Sequence, residues 1–230
     1  MKSLLENTIF FGAVISFLAY ELGLILKKKF KMALFNPLLI AIICVMGILT
    51  VFQIDYEQYE EGGKYISYLL TPATVCLAVP LYQQMGLLKK NLKAVLGGIL
   101  SGVAASLVSV FLLAKLFGLS HEHYVTLLPK SITTAIGMAV SEELGGIVTI
   151  TIATIILTGI IGNIIAETVC RIFKIEEPIA KGVAIGSASH AIGTVKAMEM
   201  GEIEGAMSSL AIAVAGLITV VGASFFAQFL

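Results

Sequence analysis

The sequence predicts an all-α polytopic membrane protein, with about seven spanning helices and a re-entrant hairpin in a single transmembrane domain over residues 1–230. The chain is 58% hydrophobic and only 13% charged, whereas soluble domains carry about 25% charged residues. Ten of its 15 lysines and arginines fall in three clusters between apolar stretches. These clusters are Lys27–Lys31, Lys89–Lys93 and Arg171–Lys181.

Five uninterrupted apolar stretches are long enough to cross a membrane, which takes about 20 residues. They cover residues 6–26, 33–54, 94–117, 147–170 and 207–229. The first is followed directly by Lys27–Lys31 and has no small-residue cleavage site, which indicates a retained helix rather than a signal peptide. Connections rich in Lys and Arg stay in the cytoplasm. We therefore expect a multi-pass protein of the cell (inner or plasma) membrane, in contact with lipid.

Three further apolar segments are interrupted by proline, glycine or hydroxyl residues. They cover residues 64–88, 123–144 and 178–200. Pro72 and Pro129 each remove an amide donor, and Gly186 and Gly193 permit unwinding. In lipid, freed backbone groups are tolerated only inside protein or along a cavity. These interruptions are therefore predicted to form the polar interior.

The two halves of the chain have similar hydropathy when shifted by 115 residues, half the length. This predicts two three-helix repeats, 33–117 and 147–230, each with a broken helix, separated by a re-entrant hairpin at 118–146. With the basic clusters inside, the second repeat is inverted, which is a known transporter plan. An alternative makes 123–144 a full span, with parallel halves and with Arg171 and Lys174 outside.

Polar residues at the interruptions are candidate ligands for a small anionic substrate. They are Pro72, Thr74, Lys130, Ser131, Thr133, Thr134, Ser187, Ser189, His190, Gly193 and Thr194. His190 can titrate near neutral pH, so it can bind a carboxylate or carry a proton. An ionisable residue within a membrane indicates function. Two alternatives remain open: His190 bonds to a neighbouring helix as packing, and Lys130 extends to the interface.

A second set of polar residues is assigned to coupling or gating. It consists of Tyr82, Gln83, Glu142, Asn163 and Glu199. The alternative for Glu199 is a helical ion pair with Lys196, three residues earlier. Among other function classes, a net charge of zero argues against a nucleic-acid partner. Ser189 beside His190 has neither a recognisable orienting acid nor an oxyanion hole, so we do not expect an enzyme. We expect no metal and no cofactor, because no phosphate-binding or metal-ligand motif is present.

Three long motifs resemble the LrgB/CidB family, and the resemblance covers essentially the whole chain. They are Thr71–Gln84, Leu128–Gly146 and Gly186–Leu210. The family is described as antiholin-like membrane proteins implicated in control of murein hydrolase export and cell lysis, acting with the holin-like LrgA. It includes the LrgB-like portion of the plastid glycolate/glycerate translocator and bacterial members linked to pyruvate uptake. One departure is Ala135, where the resemblance leads us to expect proline in many relatives.

Two functions follow as hypotheses. The first is a secondary transporter of small carboxylates, of the pyruvate or glycolate type, which binds its substrate where two broken helices cross. Proton or sodium coupling would accompany it, with His190 as the proton carrier. The alternative is an antiholin-like regulator that works with a LrgA-like holin partner and transports nothing itself. In either case we expect a homo-oligomer.

Overall fold

The computed structural model describes residues 10–30, 35–76 and 78–230, with the backbone alone for Thr74. All regular secondary structure in these ranges is helical, which confirms the all-α prediction. The chain divides into two compact units, Met1–Cys76 and Leu77–Leu230. Each is described by itself below, as the N-terminal and the C-terminal unit. The boundary lies within the first predicted repeat, 33–117, so the repeat of 33–117 in 147–230 stays a prediction.

The N-terminal unit contains four described helices. They are α1 (Phe11–Phe30), α2 (Pro37–Phe52), α3 (Tyr56–Ser67) and α4 (Leu70–Cys76). The Asn36 side chain caps α2 by accepting from the amides of Leu38 and Leu39, as favoured helix N-caps do. Helix α1 packs against α2 and α3, and the hydroxyls of Ser16 and Tyr59 lie 2.8 Å apart. A small apolar core therefore joins α1 to its two neighbours.

The C-terminal unit contains seven helices in the described residues. They are α5 (Ala78–Gln83), α6 (Met85–Phe117), α7 (His121–Leu127), α8 (Thr134–Glu143), α9 (Val148–Ile172), α10 (Pro178–Met200) and α11 (Glu202–Phe226). A 3-10 turn, Ala227–Phe229, follows α11. Buried residues of α6, α7, α10 and α11 form its main apolar core.

Three helices of the described chain are long and apolar enough to cross a membrane. They are Met85–Phe117, Val148–Ile172 and Glu202–Phe229. Tyr56–Ser67 and Leu70–Gln83 pass the same test together as one bent span, which brings the number to as many as four. Helix α2 is apolar but has 16 residues, fewer than the roughly 20 that span a bilayer. The protein is thus a multi-pass helical membrane protein, with fewer clear spans in its described residues than the sequence predicts.

The structure describes two of the predicted connections. The sequence places Lys89–Lys93 between helices, and the backbone is non-helical in the middle of this cluster, at Asn91, where two helical stretches of α6 meet at a kink. The 64–88 segment is broken as expected, yet Pro72 lies inside α4 rather than at a break. Pro72 is the third residue of that helix, where the missing amide hydrogen removes no intrahelical bond.

Helices α7 and α8 form a hairpin, which we call hairpin 1 (residues 121–143). Residues 128–133 connect the two helices. The chain then returns alongside its entry: the Ile147 amide donates to Thr126 Oγ1 at 2.8 Å. Thr151 Oγ1, on α9, donates to the Thr126 carbonyl at 2.9 Å and lies 2.7 Å from Ser141 Oγ. One residue of α9 thus bonds to both helices of hairpin 1, and the re-entry of this segment into the membrane stays a prediction.

Helix α10 is also a hairpin, which we call hairpin 2 (residues 178–200). A methyl group on Gly182 would meet the Glu204 carbonyl, and one on Gly205 would lie 3.2 Å from Met198 Cα. Gly182 and Met198 therefore lie side by side against the start of α11. In a continuous helix their separation of 16 residues would place them about 24 Å apart. The predicted interruption of 178–200 is real, but the chain reverses there instead of continuing across the membrane.

The reversal occurs at His190, with φ 43° and ψ −143° inside otherwise helical backbone. Positive φ is uncommon for a residue with a side chain. The first leg (178–189) and the second leg (191–200) then run side by side: Ile185 Cγ2 lies 3.2 Å from the Cβ position of Gly193. Ile185 and Ala197 are buried in one apolar cluster with Ala166 of α9. The sequence predicts an interruption around Gly186 and Gly193, and the structure places the reversal between these two glycines.

Candidate functional site

A groove of about 1070 Å³ lies between α6, the first leg of hairpin 2 and the turn of hairpin 1. It begins at Asn91 and Glu177 and extends along α6 to Ser106 and Ser109. Asn91 and Ser109 are 18 residues apart, so the α6 wall is about 27 Å long. The residues that line the groove are mostly alanine, glycine and serine, and their small side chains leave room for a long groove between closely packed helices.

The far end of the groove is formed by Lys130 and Ser131, at the turn of hairpin 1. Ser131 is buried, and its hydroxyl lies 3.0 Å from Ser106 Oγ. Lys130 Nζ donates to Ser131 Oγ at 3.2 Å. Within the described part of the chain, no carboxylate lies within ion-pair distance of Lys130. A half-buried ammonium with only a neutral partner leaves a place for an anion.

Ser187 of hairpin 2 lines the same groove, on the first leg. Its hydroxyl donates to the Val183 carbonyl at 2.7 Å. Gly102 of α6 faces it directly, since a methyl group there would lie 2.8 Å from Ser187 Oγ. Three predicted ligands, Lys130, Ser131 and Ser187, are therefore brought together in one groove.

His190 does not line this groove. It is 3% exposed, and Nε2 lies 2.9 Å from the Ile155 carbonyl oxygen of α9. Since a carbonyl only accepts, Nε2 is the protonated nitrogen in this bond. Gly159 makes the approach possible, because a methyl group there would lie 2.6 Å from His190 Cε1. This geometry matches the packing alternative for His190, and its role as substrate ligand or proton carrier stays a prediction.

Three other predicted ligands lie in the same buried network. Ser189 packs against Gly162 of α9, and Gly193 packs against Ser189 and Ile185. Thr194 Oγ1 donates to the His190 carbonyl at 3.0 Å and lies 2.7 Å from Ser208 Oγ of α11. These contacts hold the reversal of hairpin 2 between α9 and α11.

The remaining predicted ligands lie elsewhere. Thr133 and Thr134 begin α8 and are half-buried, outside the groove lining. Pro72 and Thr74 belong to the N-terminal unit, where Pro72 is exposed and the Thr74 side chain lies outside the described structure. Their participation in a substrate site stays a prediction.

The predicted coupling residues are dispersed. Asn163 Nδ2 donates to the Ile192 carbonyl at 2.8 Å, which anchors hairpin 2 to α9. Glu199 pairs with Lys196 at 3.4 Å, which is the helical ion pair of the alternative interpretation. Tyr82, Gln83 and Glu142 are exposed. No group of three possible metal ligands occurs among the described residues.

None of the α6 residues that line the groove was predicted from the sequence as a ligand. These residues recur at spacings of three and four, namely Ala94, Val95, Gly98, Ser101, Gly102, Ala105, Ser106 and Ser109. That spacing places them on one helix face. The signal was present as small and hydroxyl residues, but glycines in an apolar helix indicate close helix packing equally well. What distinguishes a groove wall is the neighbouring helix, which the sequence does not give.

The fold and the groove define a class: a multi-pass helical membrane protein with two helical hairpins and a cation at the end of a groove. Residues 16–229 match the LrgB-like family. The chain is 40% identical over 224 residues to the antiholin-like protein LrgB of Bacillus cereus strain B4264, covering 97% of each chain. The protein of the same name from Bacillus anthracis strain A0248 is equally similar. No solved structure matches the chain.

This chain therefore belongs to the LrgB-like family, as its three motifs indicated.

Proposed function

We propose that this chain is an antiholin-like, non-enzymatic regulator of murein hydrolase export and cell lysis, acting with a LrgA-like holin partner. The observation that carries this proposal is the 40% identity, across 97% of both chains, to proteins named antiholin-like protein LrgB. A match over nearly the whole length includes both hairpins and the groove. Regulation of this kind needs a membrane-embedded surface for the partner, and the apolar spans provide one.

The test uses a Bacillus strain that lacks its own LrgB-like protein and keeps its LrgA-like protein. Expression of this chain should lower the murein hydrolase activity exported into the medium and slow detergent-induced lysis. A second strain without the LrgA-like protein determines whether the partner is required. Unchanged lysis and unchanged hydrolase activity, with this chain confirmed in the membrane fraction, would overturn the proposal.

A second function is favoured by one specific observation, the unpaired ammonium of Lys130. It lies at the end of a groove about 27 Å long, next to the hydroxyls of Ser106 and Ser131. A carboxylate of a few heavy atoms fits this combination, because its charge would pair with Lys130 and its oxygens would accept from hydroxyls. We therefore propose, as the alternative, a carrier of small 2-oxo or 2-hydroxy acids such as pyruvate or glycolate.

Uptake of labelled pyruvate and glycolate into proteoliposomes tests the carrier, with and without a pH or sodium gradient. Lys130→Ala should abolish uptake. Lys115→Ala is the matched control, since Lys115 is an exposed lysine of α6 outside the groove, and it should transport like the parent. If the well-reconstituted parent moves neither acid, the carrier proposal fails. If Lys130→Ala still slows lysis while uptake is lost, the two functions are separable.

A further inference from the structure

The two hairpins share a sequence motif at their turns. Residues 131–137 read SITTAIG, and residues 187–193 read SASHAIG. Four of these seven positions are identical, at a constant offset of 56 residues, and Thr133 corresponds to Ser189. The offset is about half the 115 residues of the hydropathy repeat. The match therefore relates two segments within the C-terminal unit.

Equivalent positions make equivalent contacts. A methyl group on Gly137 would lie 3.5 Å from the Pro129 carbonyl, and one on Gly193 would lie 3.2 Å from Ile185 Cγ2. Pro129 and Ile185 are themselves 56 residues apart. In each hairpin the glycine of the AIG motif thus contacts the residue eight positions before it, which is Pro129 in the connection of hairpin 1 and Ile185 on the first leg of hairpin 2. The match in sequence is accompanied by a matching contact.

The helix that follows each hairpin also contacts it in the same way. On α9, Thr151 bonds to Thr126 and Ser141, one residue from each leg of hairpin 1. On α11, Ser208 lies 2.7 Å from Thr194 of the second leg, and its backbone packs against Gly186 of the first leg. Each hairpin and its following span therefore form one repeated unit, 121–172 and 178–226.

The two repeated units have opposite directions along α9. Hairpin 1 connects to the N-terminal end of α9 at Val148, and hairpin 2 connects to its C-terminal end at Ile172. These ends are about 36 Å apart, since α9 has 25 residues. Both hairpins nevertheless contact α9 at Ile155, about 10 Å from its N-terminal end: Gly137 packs against the Ile155 side chain, and His190 bonds to its carbonyl. The turns of the two hairpins therefore contact the same residue of α9, although the hairpins connect to opposite ends of that helix.

We propose that hairpin 1 and hairpin 2 are inverted re-entrant segments that enter the membrane from opposite sides. Residues next to their turns reach the same groove, whose wall includes the equivalent hydroxyl residues Ser131 and Ser187. Glu177 and Asn91 line one end of the groove, at the base of hairpin 2, and Lys130 of hairpin 1 lines the other end. In the proposed arrangement, access to the groove is from the side of hairpin 2. The inference goes beyond the proposed function, since it assigns a membrane topology and one-sided access.

Single-cysteine labelling in sealed cells and inverted vesicles tests this arrangement. The background variant replaces Cys44, Cys76 and Cys170 with serine. Cysteines are introduced at exposed residues that flank the hairpins, in the variants Glu122→Cys, Glu143→Cys, Glu176→Cys and Glu202→Cys. A membrane-impermeant maleimide should label 122 and 143 from one side, and 176 and 202 from the other. Ser101→Cys, in the groove, should label from the side of 176 and 202.

Each alternative arrangement gives a different pattern. If 178–200 crosses the membrane, 176 and 202 label from opposite sides, and the proposal is overturned. If all four positions label from one side, the hairpins are not inverted. Labelling of Ser101→Cys from the side of 122 would overturn the assigned access. Labelling after detergent solubilisation checks that each thiol is reactive in a folded variant. These results do not depend on whether the protein moves an anion or regulates lysis, so failure of either function is distinguishable from failure of the topology.

Discussion

His190 donates through Nε2 to the carbonyl oxygen of Ile155, 2.9 Å away, from the residue at which α10 reverses direction. The bond joins the turn of hairpin 2 to the N-terminal half of α9, a helix long and apolar enough to span a membrane. The backbone at this turn has φ 43°, a conformation that glycine adopts readily and other residues adopt at a cost of order 1–3 kcal/mol. The presence of histidine instead of glycine at this position indicates that the side chain, through its bond to Ile155, offsets the cost of this backbone conformation.

Two substitutions of His190 separate backbone strain from side-chain contacts. His190→Ala and His190→Gly both remove the ring and its bond to Ile155, but only glycine relieves the positive φ. We therefore expect His190→Gly to be more stable than His190→Ala by about 1 kcal/mol, with both less stable than the parent. The measurement is thermal unfolding in detergent, monitored through the reactivity of the Cys170 thiol, which is buried in the folded protein. An alanine variant that melts above the glycine variant would contradict the positive φ at residue 190.

The small residues of α9 set how closely hairpin 2 approaches. A methyl group on Gly162 would overlap the Ser189 side chain, whereas one on Gly97 of α6 meets nothing within 4 Å. Gly162→Ala should therefore destabilise the protein by about 1–3 kcal/mol through overpacking. Gly97→Ala is the matched control, and it should be neutral or stabilising, because alanine favours helix over glycine. The same thiol-based melting experiment compares them, and equal melting temperatures would contradict the close packing of hairpin 2 on α9.

The sequence allowed prediction of the helical class, the long spans and the existence of interruptions, because each depends on local composition. Apolar length identifies 94–117, 147–170 and 207–229, which lie in α6, α9 and in α11 with its terminal turn. The hairpin at Pro129 followed from the positions of the basic clusters. These features follow from rules about single segments in lipid.

The reversal at His190 could not be predicted from such rules. Hydropathy does not distinguish a broken span from a hairpin of the same length, and the flanking charges Lys181 and Lys196 give no clear orientation. The deciding facts are tertiary: Gly182 and Met198 both pack against the start of α11. The residues that line the groove differ from the predicted ligands for the same reason. Reversal directs Ser187 to the groove, while Ser189 and His190 contact α9.

Thr151 is fully buried and bonds to both helices of hairpin 1, at the Thr126 carbonyl and the Ser141 hydroxyl. Thr151→Val keeps the volume and removes the hydroxyl, so it should cost about 1 kcal/mol. Thr154→Val is the control, since the Thr154 hydroxyl bonds only within its own helix, to the Thr151 carbonyl. The melting temperatures of the two variants test whether the Thr151 hydroxyl joins hairpin 1 to α9. A Thr154→Val variant as unstable as Thr151→Val would contradict that role.

The second leg of hairpin 2 returns to the C-terminal end of α9, where Lys196 Nζ lies 3.2 Å from Glu167 Oε2. Glu167 also lies 3.5 Å from Arg171, one helical turn away. Exposed ion pairs of this kind contribute about 1 kcal/mol or less, so the pair serves better as a marker of proximity than as a source of stability. Only a reversed α10 brings Lys196 to this end of α9.

Cross-linking measures that proximity directly. In the cysteine-free background, the pair Glu167→Cys and Lys196→Cys should be joined by a short bis-maleimide. Cleavage at a protease site inserted into the 173–177 connection should then leave the two fragments attached. Lys196→Cys with Glu143→Cys is the matched control: its two cysteines also lie on either side of the cleavage site, but Glu143 lies beyond the opposite end of α9, a helix about 36 Å long. A continuous α10 would carry Lys196 about 27 Å away from its own first residue, Pro178, towards that opposite end. Fragments that separate in the test pair but stay attached in the control would show that α10 crosses the membrane.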